Sequence, residues 1–173
     1  MYKRQVQQLS EFLYFETKHI NHSYNEFKDI KDELHLFDII YSEGEFIAKE
    51  TIRSTMVSID LPFDIPTFTV DKEGLLEKFY AIAGWKDINF ENHPDFSKRF
   101  YLVGENPQDI TDFFSSEIIH FFESNPYYHI ESRGRQLLIF NKERLATIRE
   151  IKALLDYSKR LQKVIEQNAV QFA

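Results

Sequence analysis

The sequence predicts an α+β domain: an antiparallel sheet with three to four helices packed mainly on one face. Three observations carry this. Segments that alternate apolar and polar residues stand among segments with helical spacing, in no repeating βαβ order. Helix starts are written out chemically, as Asn106-Pro107 and as the capping box Thr147-x-x-Glu150. The chain has 173 residues, 43% of them hydrophobic and 16% aromatic, which suffices for one core without staples.

From the front, Val6 to about Ile20 carries Val6, Leu9, Phe12 and Leu13 at helical spacing and breaks at Asn21-His22-Ser23, which predicts a short helix. Asn25 to Asp32 is charged enough for an edge strand. Leu34–Tyr41 and Thr51–Leu61 follow as strands across a turn at Glu43-Gly44-Glu45. In the second of these, Thr55, Val57, Ile59 and Leu61 alternate with Ser54, Ser58 and Asp60, with Met56 as the exception. That pattern predicts a half-buried strand in an antiparallel meander.

Pro62 and Pro66 bracket a connector, because proline cannot donate to a central ladder. Phe68 and Val70 then share a face, and the stripe Leu75, Leu76, Phe79, Tyr80, Ile82 predicts a helix over roughly Lys72–Ala83, stopped at Gly84. Phe100–Val103 is a further strand. A helix opens at Asn106-Pro107, buries Ile110, Phe113, Phe114, Ile118, Phe121 and Phe122, and has a break signal at Ser115-Ser116. Tyr128–Arg133 and Gln136–Asn141 form a hairpin around Gly134, and the longest helix closes the chain with one apolar face from Ile148 to Ile165.

Met1-Tyr2-Lys3-Arg4-Gln5 equals the translation of a common transposase sequencing-adapter end from a GTG start. Residues 1–5 are therefore expected to be an adapter scar, and 6–173 a single domain.

Composition excludes several chemistries. There is no Cys, so no disulfide, thiolate metal site or thiol nucleophile is available. The formal net charge of −7 argues against nucleic acid as a partner. The stretch from Lys142 onward is net basic within this acidic chain, as in an ordinary amphipathic helix with i, i+4 pairs. The five glycines are isolated and form neither a phosphate-cradling loop nor a dinucleotide fingerprint, and no Gly-x-Ser-x-Gly elbow occurs. No cofactor is expected.

Few residues invite a site. Asp87, Asn89, Glu91, His93 and Asp95 alternate like the front of a calcium loop, but Asn92 stands where that loop needs Gly and Lys98 where it needs a bidentate Glu. Local turns anchored by Ile88, Phe90 and Phe96 describe the segment better. Glu16, His19 and His22 would share a helix face at i, i+3, i+6, without true zinc-helix spacing. His35, His120 and His129 sit singly in apolar segments and read as hydrogen-bonded packing residues. Arg133 and Arg135 flank the hairpin Gly134, where two guanidinium groups form a phosphate fork or a charged tip. Trp85 and the pair Tyr127-Tyr128 are the aromatics expected at the surface. Trp85, Arg133 and Arg135 are accordingly the expected interaction surface.

The order of segments over about three quarters of the chain resembles an uncharacterised family of bacterial membrane-associated proteins. The residues that carry it are Leu36-Phe37-Asp38-Ile39-Ile40-Tyr41, Ile65-Pro66-Thr67-Phe68, Gly84-Trp85-Lys86-Asp87-Ile88-Asn89-Phe90 and Pro94-Asp95-Phe96-Ser97. Tyr101-Leu102-Val103-Gly104, Ile130-Glu131 and Leu137-Leu138-Ile139-Phe140 continue the pattern. The resemblance implies a soluble α+β domain behind one or two N-terminal transmembrane helices, on the cytoplasmic face of the membrane, and it brings no activity or ligand. A sound fold grammar without a catalytic constellation points to a non-catalytic interaction or regulatory domain with a protein partner, touching a membrane only through an upstream segment. Two other readings are a free-standing acidic immunity or inhibitor protein, and a metal-dependent hydrolase using Asp87, Glu91, His93 and Asp95.

Overall fold

The three strands β1 (His19–Asp29), β2 (Leu34–Glu43) and β3 (Glu50–Asp60) form the expected antiparallel meander. They are seen in a computed structural model that describes residues 7–44, 49–72, 84–141 and 143–169. β4 (Phe68–Lys72) comes next, followed by helix α1 (Pro94–Arg99) and β5 (Phe100–Gly104). Helices α2 (Pro107–Phe113) and α3 (Ser116–Ser124), the hairpin β6 (His129–Arg133) and β7 (Gln136–Phe140), and helix α4 (Ile148–Ala169) complete the order.

Among the described residues the strands make one seven-stranded sheet, β1-β2-β3-β7-β6-β4-β5, with every neighbouring pair antiparallel. The β6–β7 hairpin is inserted between β3 and β4, so residues far apart in sequence meet at the sheet centre. The fold is α+β, as the element pattern predicts. The helix expected over Lys72–Ala83 and the scar expected at residues 1–5 lie outside the described residues.

Local chemistry places the helices. The Asn106 side chain accepts from the N–H of Gln108 at 3.1 Å, with Pro107 at N1, and Ser115 Oγ accepts from Ile118 N at 3.3 Å. The second cap is why the aromatic run splits into α2 and α3 at the expected point. Thr147 and Glu150 cap α4 reciprocally. Thr147 N donates to Glu150 Oε2 at 2.9 Å, and Glu150 N donates to Thr147 Oγ1 at 3.4 Å. α1 was not expected. Pro94 starts it and Phe96, fully buried, pins it where turns were predicted.

Helices α1 to α4 pack on one sheet face. Phe96, Phe113, Phe114, Phe122, Tyr157 and Leu161 meet Val57, Val70, Leu102, Ile130 and Ile139 there. Gly104 allows the closest approach: a Cβ on it would collide with the Thr67 carbonyl and with the Ile110 side chain. The Lys159 ammonium on α4 reaches Asp29 at 2.8 Å and Asp32 at 2.6 Å on the turn after β1, so part of the C-terminal basic charge is consumed internally.

The second face corrects two expectations. Val6–Ile20 is not one helix: residues 7–9 are helical, a 3-10 turn follows at Leu13–Phe15, and β1 already begins at His19. A continuous helix would rotate Tyr14 away from Leu9 and Phe12. The broken path lets Leu9, Phe12, Tyr14 and Phe15 all bury against Phe37, Ile39, Tyr41, Met56, Leu138 and Phe140. This strap makes the middle of β3 buried on both sides, Ser54 and Met56 included, rather than half-buried. Met56 is the residue that registered the cover.

Candidate functional site

Under the strap, Asp71 on β4 and His129 and Glu131 on β6 point to the same face as Phe140 and Leu138, opposite the helices. Their side chains are 3%, 5% and 2% exposed, which makes this the most enclosed group of charges among the described residues. β4 and β6 are antiparallel partners, with Val70 opposite Ile130 and Thr69 opposite Glu131, and that register delivers Asp71 beside His129. His129 Nδ1 lies 3.2 Å from Asp71 Oδ2 and its Nε2 lies 3.1 Å from Glu131 Oε1. The remaining lone pairs are also used. The Tyr127 hydroxyl donates to Asp71 Oδ1, the Lys72 N–H donates to the same oxygen at 2.6 Å, and the Tyr14 N–H donates to Glu131 Oε2 at 3.1 Å.

Burial alone would strip the proton from the imidazole, but the hydrogen bonds its ring nitrogens donate to both carboxylates, and then their charges, outweigh it and raise the His129 pKa to about 9. The same balance holds for Asp71. Its burial favours the neutral acid, yet the bonds to His129 and Tyr127 win and hold the carboxyl below its ordinary value. Burial, followed by the Asp71 charge, pushes the Tyr127 hydroxyl up. Tyr14 is raised in the same direction by burial and then by Tyr41. Its hydroxyl sits 2.6 Å from that of Tyr41 and donates to Glu143 Oε1 at 2.8 Å.

An imidazolium clasped by a carboxylate at each nitrogen holds charge in place. With both nitrogens occupied it has no free lone pair to take a proton from a substrate. The two carboxylates lie on opposite sides of the ring, and among the described residues no group of three His, Asp or Glu side chains is arranged to hold a metal ion.

Beside this cluster, between the strap and the β4–β6 end of the sheet, lies a cleft of about 360 Å³. Trp85 and Arg133 line it together, with Glu11, Leu13 and Glu16 of the strap, Glu105 and the buried Glu131. Arg133 is half exposed and pairs with Glu105 at 3.0 Å. Trp85 and Leu13 pack against the same pair, Tyr101 and Val103. Two of the three residues expected as an interaction surface therefore meet in one concavity. Arg135 is turned elsewhere and donates from Nε to the Leu61 carbonyl at 2.8 Å.

The alternating acidic loop does not converge. Asp87 accepts from Asn89 Nδ2 at 2.8 Å and from Leu102 N at 3.1 Å, and so ties the loop to the edge strand β5. Glu91 and Asp95 are exposed, and His93 faces Glu123 at 3.6 Å. Glu16, His19 and His22 share no helix face, because the latter two lie on β1. Tyr128 is buried against Tyr157, ring centres 4.4 Å apart, so the aromatic surface expected of Tyr127-Tyr128 does not exist. The buried cluster itself was missed, apart from His129 as a hydrogen-bonded packing residue. The available signal was His129 and Glu131 on either side of the apolar Ile130, a pattern that also describes a solvent face.

No protein-family model, curated protein or solved structure matches this chain. Among the described residues no helix is long and apolar enough to cross a membrane.

Proposed function

We propose that this domain acts by binding rather than by reaction. It is a regulatory interaction domain held at the cytoplasmic face of a bacterial membrane by an upstream segment, with a protein partner seated in the cleft that bears Trp85 and Arg133. The cleft is the observation that carries the reading. It brings the one Trp of the chain and an exposed Arg to a concavity of ligand-pocket size, next to ionisable groups that are already mutually satisfied.

The wall charges favour a second reading. Glu11, Glu16, Glu105 and Glu131 outnumber Arg133, which suits a basic partner and an acidic immunity- or inhibitor-type protein free of any membrane. The hydrolase reading has its residues set apart in space and is the weakest.

The test is a photo-crosslinking amino acid placed at Arg133 in the native host, with the same amino acid at the exposed Lys152 on α4 as control. A discrete adduct from position 133 alone, recovered with membranes, supports the tethered domain; the same adduct in the soluble fraction supports the inhibitor. Identical adducts from both positions reject the cleft as the contact site.

A further inference from the structure

The cleft beside Trp85 and Arg133 offers a ligand two different surfaces. Its floor belongs to β4 and β6, where Thr69 and Glu131 stand opposite each other in register and are both buried. Thr67 joins them from the segment before β4. Among the described residues neither threonine hydroxyl is engaged by another side chain, so both are open to whatever enters. One wall is Trp85, half-buried, whose ring is seated against Tyr101 and Val103 while it borders the cleft. Another wall is the strap, which brings Glu11 and Glu16, both exposed.

The charges around this space are unequally spent. Arg133 is taken by Glu105 at 3.0 Å, and Glu131 accepts from His129 and from the Tyr14 N–H. Glu11 and Glu16 form no ion pair among the described residues. An incoming group therefore meets two carboxylates without a partner, one indole and two hydroxyls, while the cation lining the cleft is already paired. An anion is repelled there, and a purely apolar group leaves the polar floor unsatisfied. A cation with a flat, donor-rich head suits every surface. Its face stacks on the indole and its N–H groups reach carboxylate and hydroxyl oxygens. Guanidinium is that group, whereas ammonium carries the charge without the plane. At about 360 Å³ the cleft is at the small end of ligand pockets, with room for a long side chain rather than for a helix.

We infer that the Trp85 cleft is a socket for an arginine side chain of the protein partner, stacked on the indole and held by Glu11 and Glu16. This socket rests on the cleft being the partner's seat, the reading proposed for the domain, and adds the chemistry by which that partner is recognised.

Trp85 is the one Trp of the chain, so its indole N–H gives a single resonance in the full-length protein. The probe is N-acetyl-arginine amide, titrated beside its uncharged isostere N-acetyl-citrulline amide and beside N-acetyl-lysine amide. The expected result is a saturable shift of the Trp85 indole resonance, with a Kd on the order of 1 mM for arginine. Citrulline should give no saturable shift, and lysine should bind several-fold more weakly. Glu11→Gln combined with Glu16→Gln should weaken arginine binding about tenfold and leave the melting temperature unchanged, because both side chains are exposed. No saturable shift with arginine, an equal shift with citrulline or lysine, or undiminished affinity in the double variant would each overturn the socket. These readouts need no partner. A discrete adduct from the crosslinker at position 133 without arginine binding would reject the socket and keep the cleft as the contact site. Arginine binding with identical adducts from positions 133 and 152 would reject the protein partner and not the socket.

Discussion

The Tyr14 side chain ties the strap to β2 and to the segment after β7. Its hydroxyl contacts Tyr41, which is fully buried, and Glu143, which is exposed. Tyr14→Phe keeps the ring contacts and deletes those bonds, leaving the Tyr41 hydroxyl stranded; the expected loss in urea denaturation is about 1–3 kcal/mol. Adding Tyr41→Phe removes the stranded group, so the double variant should be no less stable than Tyr14→Phe alone. A double variant that loses the sum of both singles would show that the hydroxyl pair does not matter as a pair. None of this was legible in the sequence. Tyr14 and Tyr41 look like two of many aromatics, and their meeting depends on the strap crossing β2. Trp85 and Arg133 stand out in the sequence as a lone Trp in a loop and an Arg at a hairpin tip, and both line one cleft.

Elements were read most reliably where local chemistry decides them. The caps at Asn106, Ser115 and Thr147 and the hairpin at Gly134 depend on neighbours within a few residues, and each forms where the side chains say. Thr147→Ala should therefore cost about 1 kcal/mol, with loss of helix signal limited to the first turn of α4; hydrogen exchange of residues 148–152 checks it. Gly104 is a sterner case. Its need for no side chain comes from the carbonyl of Thr67 across the β4–β5 pair and from Ile110 on α2, so Gly104→Ala should cost about 1–3 kcal/mol by overpacking. A melting temperature unchanged in Gly104→Ala would mean that β4 and β5 yield easily. The strap was misread for the opposite reason. Its apolar spacing suits a helix, but a flat aromatic sheet face binds Leu9, Phe12, Tyr14 and Phe15 together only if the helix breaks, and that choice is made by strands far along the chain. The alternation of β3 failed likewise, since Met56 alone marks the polar face as covered and does not say which segment covers it.

At the scale of the whole molecule, charge buried between β4, β6 and the strap makes stability depend on pH with a definite sign. The His129 pKa is raised in the folded state, so the stability it contributes is complete below its unfolded value of about 6.5 and is lost as pH climbs through about 9. The Asp71 value is lowered, so its contribution is present above about 3.8 and is lost as pH falls through the folded value. The two windows overlap between roughly pH 4 and 6.5, and the chain should be most stable there rather than at neutrality. Urea midpoints should fall from pH 6.5 to 9, by on the order of 3 kcal/mol in free energy if His129 is the dominant titrating group. His129→Gln should be less stable than the natural chain at pH 6 and should lose most of the alkaline slope, because its amide cannot carry the charge that the two carboxylates require. A slope that persists in His129→Gln would assign the pH dependence to another titrating group; surface pairs such as Lys159 with Asp29 and Asp32 keep their charges across this range and show themselves instead as a loss of stability in high salt, which the buried cluster resists. Urea denaturation of both chains at low and high salt therefore separates a buried cluster held by one proton between β4 and β6 from the pairing of surface charges.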